Sequence, residues 1–536
     1  MTAECYPITV LPNLSRIFRE YVELRSAPAD APVRKYYAGT PFDGRWKLGV
    51  DRKLSADRVR VANLLKAQNV GFGAGEAALE NIERLREGAR TIVTGQQVGI
   101  LGGPLLTLMK AATAVRKAQV ATEAGVPHVP VFWMATEDHD LDEVNQITLL
   151  SKTSVETLRA EIAGHRLEPV GGISVGDEFE AVLAQVEELL GFAPVCELLR
   201  ECYAPGETLG SAFGKLLAAL FREQGLIVID ASAREFHALG ADVLRAAIVD
   251  ADVLQSALLQ RSEDLAREGY HSQVLIVAGA SLLFLVSEDG QRLPLRRVDG
   301  QWKAGLQTYS NEQLLQILEE MPERLSPNAL LRPVFQDVLL PTSAYIGGPA
   351  EIAYFAQCEV LYQHILGVMT PVLPRLSATL VEPAIRTVML QHELALPDAM
   401  QTVEELAQKL GARAMPIEGK QKIAAAGNAL NEELTSLVGW MEQVDESLGR
   451  SAEVSASKMR YQMNRLRRMA ATFQLQKEAS LRKHANAVVN SLYPHQHPQE
   501  RLLGGVWFVA RYGEGLAQLL VDNAEQECPG HRVIDL

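Results

Sequence analysis

The chain has 536 residues, 47% of them hydrophobic, and a formal net charge of −14. That length exceeds what one hydrophobic core usually spans, so two or three domains are expected. Such acidity argues against general binding of nucleic acid or anionic membranes, both of which need a basic surface, and any anionic substrate must then be met by local cations. Cys5, Cys196, Cys202, Cys358 and Cys528 are scattered, odd in number and free of any C-x-x-C pair, which fits a reducing cytoplasm and argues against a zinc ribbon or a disulfide framework. Met1 to Phe18 lacks a basic segment followed by an apolar one, and no apolar run approaches bilayer length. A cytoplasmic location is expected.

In chain order, Thr91 to Thr94 reads as a strand, Pro104 to Glu123 as the helix that follows it, and Val129 to Ala135 as the next strand. Between them lies Thr94-Gly95-Gln96-Gln97-Val98-Gly99-Ile100-Leu101-Gly102-Gly103-Pro104, neither a Walker A loop nor G-x-G-x-x-G. Its glycines let backbone amides approach a ligand, and Pro104 suits the first turn of a helix whose N-terminus attracts anions. The alternative is an ordinary tight turn.

Past the strand Val129 to Ala135 stand Glu137, Asp138, His139 and Asp140. The carboxyl ends of strands in open α/β sheets are where ligands bind, so the cluster is placed for chemistry. Three readings compete. A carboxylate can orient His139, which takes a proton from an amine. Glu, His and Asp can ligate a metal, but the nearest other histidine, His128, is at the opposite end of the strand, so no metal site is expected. Asp138 or Asp140 can cap a helix at Asp142 to Asn145.

From Gln146 to about Arg297 the character changes: strand-like segments (Thr157 to Ile162, Leu226 to Asp230, Val274 to Val277, Leu282 to Val286) mix with helical ones (Glu180 to Leu190, Leu209 to Gln224), as insertions in a core sheet would. Core-like sequence resumes at Thr342 to Ile346 and Thr370 to Leu373 around the helix Glu351 to Leu366, a βαβ unit. Gly347-Gly348-Pro349 there repeats the first Gly-Gly-Pro turn, which puts two helix N-termini on one sheet edge and suggests a shared ligand cleft.

After Glu382 the sequence is almost wholly helical. Ile423, Leu430, Leu434, Leu437, Met441, Val444 and Leu448 form an a/d seam, a second arm runs from Ser457 to Val489, and residues around Gly449 can turn the chain between two antiparallel arms. The second arm carries a basic excess, including Arg460, Arg465, Arg467 and Arg468. Inter-arm pairing and solvation account for most charge runs, and a nucleotide phosphate is a further partner. Val533 to Leu536 is apolar enough to return as an edge strand.

These pieces, together with Leu331-Arg332-Pro333, Pro341-Thr342, Tyr345-Ile346-Gly347-Gly348-Pro349, Leu373-Pro374-Arg375-Leu376-Ser377 and Gln499-Glu500-Arg501, resemble the BshC family of bacillithiol biosynthesis cysteine ligases. The resemblance runs in order through the chain. It implies an α/β fold: a Rossmann-like parallel-sheet core related to class I aminoacyl-tRNA synthetases, inserted connective-peptide domains, a C-terminal α-helical coiled coil, and a homodimer. The corresponding divisions are 1–145 and 298–381 for the core, 146–297 for the insertions, 382–497 for the coiled coil and 498–536 for a returning helix and strand. It also implies addition of cysteine to glucosaminyl-malate as the last step of bacillithiol synthesis.

On that reading Glu137, Asp138, His139 and Asp140 are the catalytic candidates. Gln96, Gln97, Gly102, Gly103, Trp133, Thr342, Tyr345, Gly347, Gly348, Glu351, Arg375 and Ser377 are the substrate-binding ones. Lys110 is a weaker cation candidate, since a solvated helix face explains it as well. Activation of the acid calls for ATP or another activating nucleotide, yet the His-Ile-Gly-His and Lys-Met-Ser-Lys-Ser motifs of class I synthetases are absent: Leu101-Gly102-Gly103-Pro104 and Leu376-Ser377-Ala378-Thr379 stand in their places. A nucleotide near Tyr493 and Arg501, between core and coiled coil, is the remaining expectation. The rival functions are a coiled-coil scaffold whose core binds a metabolite, and a synthetase-like enzyme acting on tRNA.

Overall fold

The computed structural model describes residues 4–39, 42–52, 56–152, 154–162, 167–513, 515–524, 528 and 530–536. The strands, in chain order, begin with β1 (Glu4–Tyr6), β2 (Arg90–Gln96), β3 (His128–Met134), the hairpin β4 (Gln146–Leu150) and β5 (Val155–Arg159), and β6 (Ile227–Asp230). Then come β7 (Ala280–Val286), β8 (Arg292–Val298), β9 (Gln301–Ala304), β10 (Gln307–Tyr309) and β11 (Leu325–Pro327). Finally there are β12 (Thr342–Gly347), β13 (Val372–Pro374), β14 (Ala378–Val381) and β15 (His531–Asp535). The helices that matter for the site are α1 (Leu106–Glu123), α2 (Arg234–Leu239), α3 (Arg332–Leu339) and α4 (Pro349–Ile365); the C-terminal ones are α5 (Ile417–Val444), α6 (Glu446–Lys477), α7 (Ala479–Leu492) and α8 (Gln499–Leu502).

The central sheet is parallel, in the order β13-β12-β2-β3-β6. Its strands are apolar without alternation because both faces are covered. Along β3, Val131 and Trp133 join one hydrophobic cluster while Phe132 and Met134 join another on the opposite side. The sheet grows from β2 toward β3 and β6 on one side and toward β12 and β13 on the other. Between β2 and β12 the strand order therefore reverses, which is where an open α/β sheet leaves a crevice at its carboxyl edge.

Two departures from the sequence reading concern the insertion. β6, read as part of it, is the fifth strand of the central sheet, and Val274 to Val277 is not a strand. The inserted sheet, antiparallel in the order β10-β9-β8-β7-β11, extends to Pro327, past the expected boundary at 297. Short apolar runs look alike whichever sheet they join, so pairing, which is non-local, decides.

The C-terminal half also differs in detail. The turn between the long arms α5 and α6 is at Asp445, whose extended backbone breaks the helix and whose carboxylate caps the amides of Ser447 and Leu448. Gly449 lies inside α6 and packs against Glu442, where a Cβ would approach to 2.7 Å. Only part of the seam is buried: Leu434 is covered, while Leu437, Val444 and Leu448 are exposed. β15 is not an edge strand but the middle of a three-stranded sheet, antiparallel to β1 and parallel to β14. Cys5 and Cys528 form a disulfide beside that pairing, where the sequence reading fits the scattered cysteines to a reducing compartment. A separation of 523 residues gives no sequence signal for it. No helix among the described residues is long and apolar enough to cross a membrane.

Candidate active site

β3 ends at Met134, and the chain then turns through Thr136 to His139, held by the backbone bond from Asp138 N–H to Ala135 C=O (3.3 Å). This turn delivers Glu137, Asp138 and His139 to a cleft of about 370 Å³ roofed by the inserted sheet. Trp133 and the three cluster residues line it from the core, and Phe284, Arg292 and Arg296 from β7 and β8. Arg332, the first residue of α3, closes one side.

Asp138 is held from two directions. Its Oδ1 accepts the His139 amide (2.8 Å) and its Oδ2 accepts Gln97 Nε2 (3.0 Å), which also donates to Glu143 (2.8 Å). Burial alone would raise the Asp138 carboxyl pKa, but Gln97, Arg292 and the His139 amide together hold it below the usual carboxylate range. It is therefore ionised at neutral pH. Arg292 is anchored by donation to Ser326 Oγ (2.9 Å) and Pro327 C=O (3.1 Å), with its guanidinium carbon 3.8 Å above the Phe284 ring. From there it donates to His139 Nδ1 at 3.1 Å.

That contact fixes the state of His139. A guanidinium can only donate, so Nδ1 is the acceptor and Nε2 carries the ring proton. Burial, and then the neighbouring Arg292 charge, press the imidazole pKa below its ordinary value. The one basic nitrogen of this neutral ring is occupied, so His139 is a hydrogen-bond donor to the cleft rather than a base, contrary to the role expected of it. Asp140 is exposed and caps nothing through its side chain, so the capping reading of that residue falls as well.

The other expected ligand groups are brought to the sheet edge but turned to one another. Lys110 is almost completely buried: its Nζ pairs with Glu351 Oε2 (2.5 Å) and donates to Gly95 C=O (2.6 Å) and Gln96 Oε1 (2.9 Å). The solvated-face reading of Lys110 is thereby overturned. Glu351 also accepts Tyr345 OH (2.6 Å) and the Gly348 amide (2.8 Å), so the second Gly-Gly-Pro turn is capped by its own helix. Gly347 C=O accepts the Arg375 amide.

The first Gly-Gly-Pro turn is sealed too. Gly102 and Gly103 are buried with positive φ, and their permissive backbone meets the chain's own C-terminal segment: Leu105 N–H donates to Leu503 C=O (2.8 Å) and Gly505 N–H to Gly103 C=O (3.1 Å). At this helix N-terminus the Leu105 amide is already taken by Leu503.

Arg375 forks onto Glu500 with bonds of 2.6 and 3.0 Å, both side chains being almost wholly inaccessible. Ser377 joins Glu500 (3.2 Å) and His531 Nδ1 (2.9 Å). Arg375 and Ser377 also line a small cavity of about 50 Å³ with Lys117, Gly347 and Pro349, apart from the β3 cleft. Thr342 is at the amino end of β12, paired with Thr91 at the start of β2, and so lies on the opposite edge of the sheet from the cleft. Tyr493 is buried at the end of α7 and Arg501 is exposed on α8, and neither lines the cleft. Among the described residues no cluster of three His, Cys, Asp or Glu side chains could hold a metal.

The sequence reading missed Arg292, Arg296 and His237, and it placed Arg332 in a family segment without giving it a role. Arg332 borders the cleft and reaches Tyr354 OH at 3.5 Å. His237, on α2, is buried behind Glu137. The net acidity gave the one available hint, since it requires local cations for an anionic ligand, but it names none of them.

Residues 1–376 match the family described as Bacillithiol biosynthesis BshC, N-terminal Rossmann-like domain, and residues 378–536 match its C-terminal coiled-coil domain. A protein of Koribacter versatilis is 41% identical over 540 residues, covering 100% of both chains. One of Solibacter usitatus is 33% identical with the same coverage, and one of Salinibacter ruber is 32% identical over 90% of this chain and 89% of its own. Each bears the name "Putative cysteine ligase BshC".

Proposed function

The chain belongs to the BshC family, and from that premise we propose that it is an amide-forming ligase that adds L-cysteine to glucosaminyl-malate in the last step of bacillithiol biosynthesis. The observation that carries the reading is the cleft itself. An acidic protein gathers Arg292, Arg296 and Arg332 around one ionised aspartate and one neutral histidine. Arginine suits planar carboxylates, so Arg296 and Arg332 face the malyl group. Trp133 offers an apolar wall to the sugar.

Joining a carboxylate to an ammonium is uphill in water, so the cysteine carboxylate must first be activated, for which ATP or another nucleotide supplies the phosphoryl or adenylyl group. The chain's own part follows from its protonation states. Asp138 accepts the proton that the glucosamine nitrogen sheds as the C–N bond forms and the C–O bond between the cysteinyl carbonyl and its activating group breaks, that group leaving as the free phosphate or nucleotide. The Nε2–H of His139, aimed by Arg292, donates to the oxygen on which charge develops. Gln97 keeps Asp138 in place.

A homodimer through the helical arms belongs to the same proposal. Leu437, Trp440, Val444, Leu448, Val454 and Met459 are exposed on the α5–α6 hairpin, apolar side chains that a monomer would leave in water.

The test is metabolic. In a strain lacking its own copy, expression of this chain should restore bacillithiol and remove accumulated glucosaminyl-malate. Unchanged thiol levels with soluble protein present would reject the ligase.

A further inference from the structure

Glu137 faces the cleft, and behind it His237 is fully buried on α2. His237 Nδ1 lies 3.0 Å from Leu325 C=O, and Nε2 lies 3.1 Å from Glu137 Oε1, within ion-pair reach though off the hydrogen-bond axis. Both ring nitrogens thus face oxygens that can only accept. A neutral imidazole has one N–H. Placed on Nδ1, it leaves the Nε2 lone pair against a carboxylate where water does not reach; placed on Nε2, it leaves Nδ1 against a carbonyl. A second ring proton removes both conflicts.

The surroundings support that assignment. The backbone carbonyls of Leu325 and Pro322 face the ring from the segment 322–325, and α3 presents the apolar Phe335 ring, 5.5 Å away. On α2 itself, Arg234 turns outward to Glu323. Arg292 also interacts electrostatically with Glu137. Burial presses the His237 pKa down, and Glu137 together with the Leu325 and Pro322 carbonyls more than offsets it, leaving the value above that of an ordinary histidine.

We propose that His237 is an imidazolium at neutral pH and serves as a positioning residue: it cancels the charge of Glu137 and so keeps the cleft receptive to an anionic substrate. This rests on the ligase reading for the identity of that anion, the malyl group. With Glu137 neutralised, Asp138 stands alone against Arg292, Arg296 and Arg332, and the cleft has a cationic excess. Without His237, Glu137 returns a full negative charge beside the substrate.

The dyad can be tested apart from the reaction. In full-length protein with 15N-labelled imidazoles, the His237 signal, assigned by its loss in His237→Gln or His237→Asn, should show both nitrogens protonated at neutral pH. In Glu137→Gln, where His237 remains, the ring should become neutral at the same pH. A neutral His237 in the wild type, or an unchanged one in Glu137→Gln, would overturn the proposal.

Calorimetry with glucosaminyl-malate supplies the second arm. His237→Gln should bind it at least 10-fold more weakly, and His237→Gln with Glu137→Gln should recover most of that loss, because the pair is neutral again. Equal affinity of wild type and His237→Gln would also overturn the assignment. An imidazolium in a wild-type protein that does not bind glucosaminyl-malate would instead refute the ligase reading and leave the dyad standing.

Discussion

Asp138→Asn separates the chemical role of the cluster from its structural one. The change is isosteric: the new carboxamide keeps an oxygen for the His139 amide, but its NH2 then meets the Gln97 Nε2 donor, which sits 3.0 Å from Asp138 Oδ2. Gln97 cannot turn over freely, because Nε2 also donates to Glu143 at 2.8 Å. The structural loss is thus one hydrogen bond, about 1 kcal/mol. The ion pair with Arg292 at 3.8 Å adds at most about 1 kcal/mol, since Asp138 is 31% accessible. Catalysis should suffer far more. Removing a positioned proton acceptor costs roughly 100- to 10,000-fold, or about 3 to 5 kcal/mol of barrier. We predict that the variant unfolds in urea within about 2 kcal/mol of wild type while bacillithiol in a complemented deletion strain falls to the background level and glucosaminyl-malate accumulates. A folded variant that retains more than roughly a tenth of wild-type activity would refute Asp138 as the base.

Arg296→Met, on an exposed cleft residue, should raise KM for glucosaminyl-malate about 10-fold or more with kcat little changed, the worth of one charge-assisted contact; an unchanged KM places the malyl group elsewhere. Glu500→Ala strands the buried Arg375 guanidinium and should cost about 3 to 5 kcal/mol in urea unfolding, whereas Arg375→Met with Glu500→Leu should recover much of it. Acid should loosen the same region. Burial lowers the His531 pKa from 6.5 to about 4, so as pH falls through that interval the unfolded chain takes the proton first and about 3 kcal/mol of stability is lost; His531→Gln should flatten the pH dependence of the urea midpoint. Leu437→Asp with Trp440→Asp should give a monomer by sedimentation with helix content unchanged by circular dichroism, and a persistent dimer would move the interface off the hairpin.

The strand β3 and its acidic cluster were legible because a parallel strand buried on both faces is a continuous apolar run, and its end is marked by the first ionisable residues. The partners of that cluster were not. Arg292 and His139 are 153 residues apart, and nothing local in Arg292-Leu293-Pro294-Leu295-Arg296 distinguishes a cleft-facing arginine from a solvated one. Thr342 shows a related limit: a hydroxyl at a strand terminus is equally visible at either end, but only the carboxyl end meets the ligand edge. Lys110 shows the converse, a cation that sequence assigns to solvent and that Glu351 draws into the interior.

The two Gly-Gly-Pro turns, Arg375 and Ser377 had the right chemistry for an anion site, and the fold supplies the anions and acceptors itself. Leu503 and Gly505 pair with the first turn, Glu351 caps the second, Glu500 takes Arg375 and Ser377, and His531 completes the Ser377 contact. All but Glu351 come from the C-terminal segment 499–536, which occupies the sheet edge as a tethered ligand would. The end of β3 opens to the larger cleft, whose cations come from β8 and α3. The contacts of the C-terminal segment also make it a condition of the core: without Glu500 the Arg375 charge is buried alone, and without Leu503 the α1 terminus loses its acceptor. Removal of residues 499–536 should therefore unfold the parallel sheet rather than expose a second site on it.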